Sequence, residues 1–224
     1  MQTILTLDYE LSFGKKTGTP QVAIIEATNK LLTVLDRYNA KAVFFVDATY
    51  LLRLKELSSI DNNLQQDYDD VVSHIQELEC KGHQIQLHIH PHWVDSTFGD
   101  NRWNINAKRY RLSNWSKGEA KDIINRCVTE LNKHLTNPVF AFRAGGWSIQ
   151  PFNHIKEALK QNNIWLDSTV FNKGRSLSDT HSFDFLAAPK KTHWQFNDDP
   201  CIEDPDGFFT EIAISSRRVS PLFY

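Results

Sequence analysis

The chain has 224 residues, 41% of them hydrophobic and 23% charged, with a formal net charge of −2. That composition can bury the core of one large domain, and it argues against wholesale disorder and against a general nucleic-acid binder. No apolar run reaches the ~18 residues of a membrane span. The stretch Met1 to Asp8 has no basic, apolar and cleavable leader, which points to a cytoplasmic protein. Cys80, Cys127 and Cys201 lie far apart. That excludes a disulfide framework and a Cys-x-x-Cys zinc site, and it fits a reducing compartment.

Thr3 to Leu7 is a short β-type run. Residues 22–38 carry a helical stripe of Ile24, Ile25, Thr28, Leu31, Leu32, Leu35 and Tyr38. Ala42 to Val46 is a continuous apolar run, as in a strand buried on both faces. Leu64, Tyr68, Val71, Val72, Ile75 and Leu78 form a second helical stripe, with Gly82 placed for a C-terminal cap. Gln84 to His90 alternates as a strand. Ser116-Lys117-Gly118-Glu119 reads as a capping box ahead of a third stripe that runs from Ala120 to Leu135. Val139 to Phe142 is a fourth strand, Pro151 opens a short helix, and Ile164 to Leu166 is a fifth strand. Beyond 171, Phe183 to Ala188 and Phe208 to Ile214 look like strands without helices between them. The apolar ending Ser220 to Tyr224 reads as a genuine terminus or as the end of a chain shorter than its domain.

Strands alternating with helices predict an α/β fold with parallel strands, closed or nearly closed, spanning 1–224 as a single domain. In such folds chemistry gathers at the C-terminal ends of the strands. Four polar segments fall there. His88, His90 and His92 crowd the end of the third strand, and neutral imidazoles are common metal ligands. Asp8 and Glu10 end the first strand and share a face, which suits a metal ligand and a general base. Arg143 ends the fourth strand, where it can grip a carboxylate. Gly145 allows close backbone approach, and Trp147 offers an apolar face. Asp167, ending the fifth strand, can orient Arg143 or a histidine. The segment from Trp93 to Trp115 is rich in aromatic and basic residues and suits stacking on an anionic glycan. The alternative is a loop packed on its own aromatics. His74, His134 and His154 read as solvated surface groups, and His83 as structural.

These segments, in this order, resemble the polysaccharide deacetylase family (the NodB homology domain, carbohydrate esterase family 4). Thr6-Leu7-Asp8-Tyr9-Glu10 looks like a divergent Thr-Phe-Asp-Asp-Gly motif. His88-x-x-x-His92 is in register with the family's paired histidines, behind Gly82-His83-Gln84-Ile85. Arg143 begins a third motif and departs from it afterwards, and Asp167-Ser168 resembles the fourth. The resemblance spans about residues 2–170. It implies a distorted (β/α) barrel of about seven or fewer strands and a divalent metal, most simply Zn2+, held by one carboxylate and two histidines. It further implies a base carboxylate tethered by an Arg. The ligand set then comes from Glu10, His88, His92 and His90, and the catalytic groups are Asp8, Arg143 and Asp167, with Asp8 and Glu10 interchangeable at this stage. Trp93, Gly145 and Trp147 are the substrate-binding candidates. The late general-acid histidine has no motif here, and His181 and His193 lie where it would be sought. The function so implied is removal of acetyl groups from an acetylated glycan or amino sugar. A same-fold amidase of a non-sugar amide and an inactive glycan-binding domain are the competing readings.

Overall fold

The computed structural model describes residues 3–12 and 17–216, so the ending at 220–224 lies outside the described residues. A seven-stranded sheet forms the centre. It contains β1 (Leu5–Tyr9), β2 (Ala42–Asp47), β3 (Gln84–Ile89), β6 (Ala141–Ala144), β7 (Leu166–Asp167), β11 (Phe209–Ile212) and β10 (His193–Phe196), in that spatial order. All neighbours pair in parallel except β10, which runs antiparallel to β11. Among the described residues no ladder joins β10 back to β1, so the barrel is distorted and unclosed. Two small hairpins stand apart from it. One pairs β4 (Thr97–Gly99) with β5 (Arg102–Asn104), the other β8 (Arg175–Leu177) with β9 (Ser182–Asp184).

The helices are α1 (Ala27–Arg37), α2 (Ala48–Leu57), α3 (Asn62–Cys80), α4 (Lys117–Asn132) and α5 (Lys156–Gln161). At α2, α3 and α4 a side chain accepts from the first backbone N–H groups of the helix. Asp47 accepts from Thr49 and Tyr50 of α2, Asp61 from Asn63 of α3, and Ser116 from Glu119 of α4, where Glu119 answers at the Ser116 N–H. Helix α3 ends at Gly82, whose φ of +83° suits a residue without Cβ. The buried stripe Leu64, Val71, Ile75 and Leu78 of α3 meets Leu51 and Leu54 of α2, with Ile124, Cys127 and Leu131 of α4 in the same core. Fully burying each such aliphatic side chain contributes roughly 1.5–3 kcal/mol before entropy is counted. The sheet is therefore clamped from behind, and its strand ends form a stiff platform.

Several local expectations change. The stripe at 22–38 begins as a π-helical turn, Gln21–Glu26, before α1 proper. Helix α2 is absent from the sequence reading because its apolar residues continue the run of β2 without a break. Asp47 alone marks the joint, ending the strand and capping the helix. The expected strand at 183–188 stops at Asp184, where the chain turns and Phe185 is buried. Strand β10 was not anticipated. His74 is buried rather than solvated. Its Nε2–H donates to Asn29 at 3.2 Å, and its Nδ1 accepts from the Tyr9 hydroxyl at 2.8 Å. His134 bonds the Tyr68 hydroxyl and His154 donates to the Trp115 carbonyl, so neither is a free surface group. His83 is structural as expected, accepting from the Ala42 N–H.

Replacing Ser116 by Ala removes one half of the α4 capping box. The expected cost is about 1 kcal/mol, or a fall of roughly 2–4 °C in Tm for a chain of this size, measured by thermal unfolding. An unchanged Tm would show that the cap is redundant.

Candidate metal centre

Alternation along β1 turns Asp8 and the following Glu10 to the same side, while Tyr9 points back to His74 and Phe44. On β3 the same rule turns His88 and the following His90 toward Glu10. Glu10 Oε2 lies 3.1 Å from His88 Nε2 and 2.6 Å from His90 Nε2. The ligand atoms of Glu10, His88 and His90 all lie within 4.8 Å of one another. Both imidazoles are buried and Glu10 is half-buried.

The donor chemistry fits a divalent ion. His88 Nδ1 faces the Arg143 carbonyl at 2.8 Å, and a carbonyl only accepts, so Nδ1 carries the hydrogen and Nε2 is left as the ligand atom. Burial pushes the Glu10 carboxyl up, but the facing His88 and His90 imidazoles outweigh it and hold the group far below the usual carboxylate range. Burial pulls His88 down, and the facing carboxylates Glu10, Asp8 and Asp47 reverse that to a net upward shift. One carboxylate and two imidazoles thus offer one anionic oxygen and two nitrogen donors, a set able to hold a divalent ion.

His92, expected as a ligand beside His88, is not in this group. The chain leaves β3 at Ile89 and enters a 3-10 turn, Pro91–Asp95, which carries His92 away. Its ring stacks on Tyr110 at 5.5 Å and 7°, and burial pulls it down to about 3. The alternate residue on the strand face, His90, takes the place that spacing had offered to His92.

Asp8 and Glu10 separate by partner. Asp8 accepts from Arg143 Nη1 at 2.7 Å, while Glu10 faces the imidazoles. The Arg143 Nη2 also donates to the Thr6 hydroxyl at 2.8 Å and the Ser168 hydroxyl at 3.1 Å. Its Nε donates to the Ser168 carbonyl at 2.7 Å, and the guanidinium lies 4.2 Å from the Phe45 ring centre. The group that orients Arg143 is therefore Ser168, not Asp167. Asp167 accepts from Thr169 instead, through its N–H and its hydroxyl, and lies beside Glu211.

The substrate-binding candidates divide. Trp93 is fully buried, packed against Tyr50 and Trp103 at 4.8 and 5.0 Å, so it is core and not a sugar platform. Trp103, Tyr110 and Trp115 are buried with it, and Arg109 pairs with Asp95 over the Trp115 ring. The 93–115 segment is thus a loop packed on its own aromatics. Gly145 serves His90: a Cβ there would sit 2.6 Å from His90 Nδ1 and from the Ile89 carbonyl oxygen. Trp147 stays 42% exposed, at φ +56°, and remains a face open to ligand.

Sequence reasoning missed Asp47 and Glu211, and placed Tyr110 only among the aromatics of the 93–115 segment. Asp47 is fully buried at the end of β2, in register with His88, and accepts from the His90 N–H at 3.3 Å. Its position at a strand end was the available signal. Of the two late histidines, His181 stands near the centre. Its ring lies 4.8 Å from Tyr110, which is 5.5 Å from His90. Burial and the charge on His90 pull it below the ordinary histidine value. His193 is exposed on β10, in a groove with Lys191, Trp194 and Glu203.

Residues 16–164 match the model of a family described as polysaccharide deacetylase. Among solved structures, one similar chain is a protein from Mycobacterium smegmatis assigned to the polysaccharide deacetylases. It is 16% identical with a TM-score of 0.47, over 84% of this chain and 45% of that one. Another is the Bc1960 peptidoglycan N-acetylglucosamine deacetylase, at 18% identity and TM-score 0.45, over 73% of this chain and 55% of that one. A third is a family 4 acetyl xylan esterase from Clostridium thermocellum with a cobalt ion, at 17% and 0.37, over 76% and 58%. The chain thus spans about half the length of these structures. No curated protein matches the sequence.

Gly145→Ala is expected to displace the His90 ring and weaken metal binding by roughly 10–100-fold, read by chelator competition on the folded protein. His88→Ala should abolish metal retention. Wild-type affinity in both variants would remove this cluster as the metal centre.

Proposed function

The chain belongs to the polysaccharide deacetylase family, and on that premise we propose that it removes acetyl groups from an N- or O-acetylated carbohydrate, using Zn2+ held by Glu10, His88 and His90. The observation that carries the reading is the separation of two carboxylates by their partners, one on the imidazoles and one on Arg143. A divalent ion so held lowers the pKa of water and polarises a carbonyl oxygen.

This chain's own residues supply the rest. Asp8, with its side chain 38% exposed, is open to water and is held by the Arg143 guanidinium in one orientation. It takes the proton as water attacks the acyl carbon. The leaving amine or alkoxide needs a proton in return, and His181, whose ring centre lies 4.8 Å from that of Tyr110, is the candidate imidazole for that transfer. Its Nδ1 is engaged by the Thr180 hydroxyl at 2.9 Å, which leaves Nε2 for the transfer. Trp147, 42% exposed, offers a ring on which a sugar would stack.

Acetate release from an acetylated amino-sugar oligomer by metal-loaded protein tests the assignment. Asp8→Asn should lower kcat by about 10²–10⁴-fold with metal content unchanged, since Asn keeps the shape and loses the base. His181→Ala should slow amide substrates more than esters, whose leaving group needs less help. No acetate release by the loaded wild type, or full activity in Asp8→Asn, would overturn the proposal.

A further inference from the structure

Asp167 and Glu211 are register partners across β7 and β11, 1% and 0% exposed. The donors around them are few. Thr169 gives its N–H to Asp167 Oδ2 at 3.0 Å and its hydroxyl to Oδ1 at 2.9 Å, and Val170 gives its N–H to Glu211 Oε1 at 3.0 Å. Glu211 Oε2 is buried and receives no donor from the described residues. Two adjacent carboxyls sealed from water do not both ionise. A proton between them supplies the missing donor and leaves one negative charge.

The charged and titratable groups facing the pair come from two other elements. Arg143, on β6, lies near Asp167 with its guanidinium committed to Asp8, Thr6 and Ser168. Cys201, beyond β10, lies near Glu211 as a buried thiol. On β10 itself the register partner of Glu211 is Trp194, which carries no charge.

The pair also sets a turn. Asp167 holds Thr169, whose hydroxyl accepts from the Ala144 N–H at 3.0 Å, and Glu211 holds Val170. Between them Ser168 is fixed, its hydroxyl donating to the Ile212 carbonyl at 2.9 Å while accepting from Arg143. We infer that Glu211 and Asp167 share one proton at neutral pH, and that Glu211 is thereby a positioning residue for the Arg143–Asp8 pair. The shared proton keeps the 167–170 turn closed, and it keeps a second full negative charge from competing for Arg143.

The pH behaviour follows. Burial first, then the neighbouring Asp167, pushes Glu211 well above the ordinary carboxylate range, and burial raises Asp167 as well. A carboxyl raised on folding binds its proton more tightly in the folded chain. Its contribution is fully present below the unfolded value of about 4.3 and is lost as pH rises toward the folded value. Glu211→Gln keeps a donor for Asp167 and removes this titration.

The test compares the full chain and its variants at equal metal content. Infrared difference spectra of the wild type at neutral pH should show a protonated-carboxyl C=O band, absent from Glu211→Gln and Asp167→Asn. The Tm of Glu211→Gln should gain on wild type by roughly 3–5 °C per pH unit over the first unit above the unfolded value. Absence of the band, or parallel Tm curves, would overturn the shared proton. Neither reading needs a substrate, so both stand apart from the deacetylase assignment. For the positioning role, Glu211→Ala should lower kcat by about tenfold or more with metal content unchanged, and Glu211→Gln should restore it. Wild-type kcat in the Ala variant, or no rescue by Gln, would overturn that part.

Discussion

Arg143 joins the two halves of the site. Its backbone carbonyl takes the Nδ1–H of His88 and so fixes which nitrogen faces the metal position. Its guanidinium, reaching across the barrel interior, holds Asp8 on the first strand and Ser168 beyond β7. One residue thereby sets the tautomer of His88 and the orientation of the Asp8 carboxylate. A guanidinium suits this task because its five donors are fixed in one plane and it stays charged when buried. Its desolvation is offset by the Asp8 carboxylate and by the face of Phe45. A lysine would bring one point charge and could not tie three strand ends at once.

The rest of the fold serves to keep those strand ends still. Each functional side chain leaves the sheet at the end of a parallel strand whose register is locked by its neighbours and whose back is covered by α1 to α4. Tyr9, between Asp8 and Glu10, is tied to His74 on α3, so the strand end that carries the two carboxylates is held from behind. Asp47 does the same for His90 by accepting its backbone N–H while capping α2. Gly145 supplies the room in which the His90 ring sits. Packing of this density tolerates little displacement, which is what a ligand cup of fixed geometry requires.

Much of this was legible in the residues. The strand runs of 42–46 and 84–90, the capping box at Ser116 and the polar residues that end each strand lead to the parallel α/β arrangement and to Asp8, Glu10, His88, His90 and Arg143. Local periodicity carries those signals because they depend only on neighbours in the chain. Helix α2 was hidden, since its apolar face continues that of β2. The aromatic loop 93–115 could be read as a sugar platform or as packed core. Only the contacts of Trp93 with Tyr50 and Trp103 assign it to the core.

What the sequence determined by itself was the set of chemical groups and the strand ends at which they collect, because side-chain alternation and the succession of elements along the chain are local properties. What the tertiary structure alone decided was the division of labour within that set. His90 rather than His92 faces Glu10 because a 3-10 turn begins at Pro91. Asp8 rather than Glu10 meets Arg143, and Ser168 rather than Asp167 steadies it, because those pairs are 135 and 25 residues apart and meet only when β1, β6 and β7 take their places around one interior. Identity is written in the chain, but proximity between distant residues is set by packing.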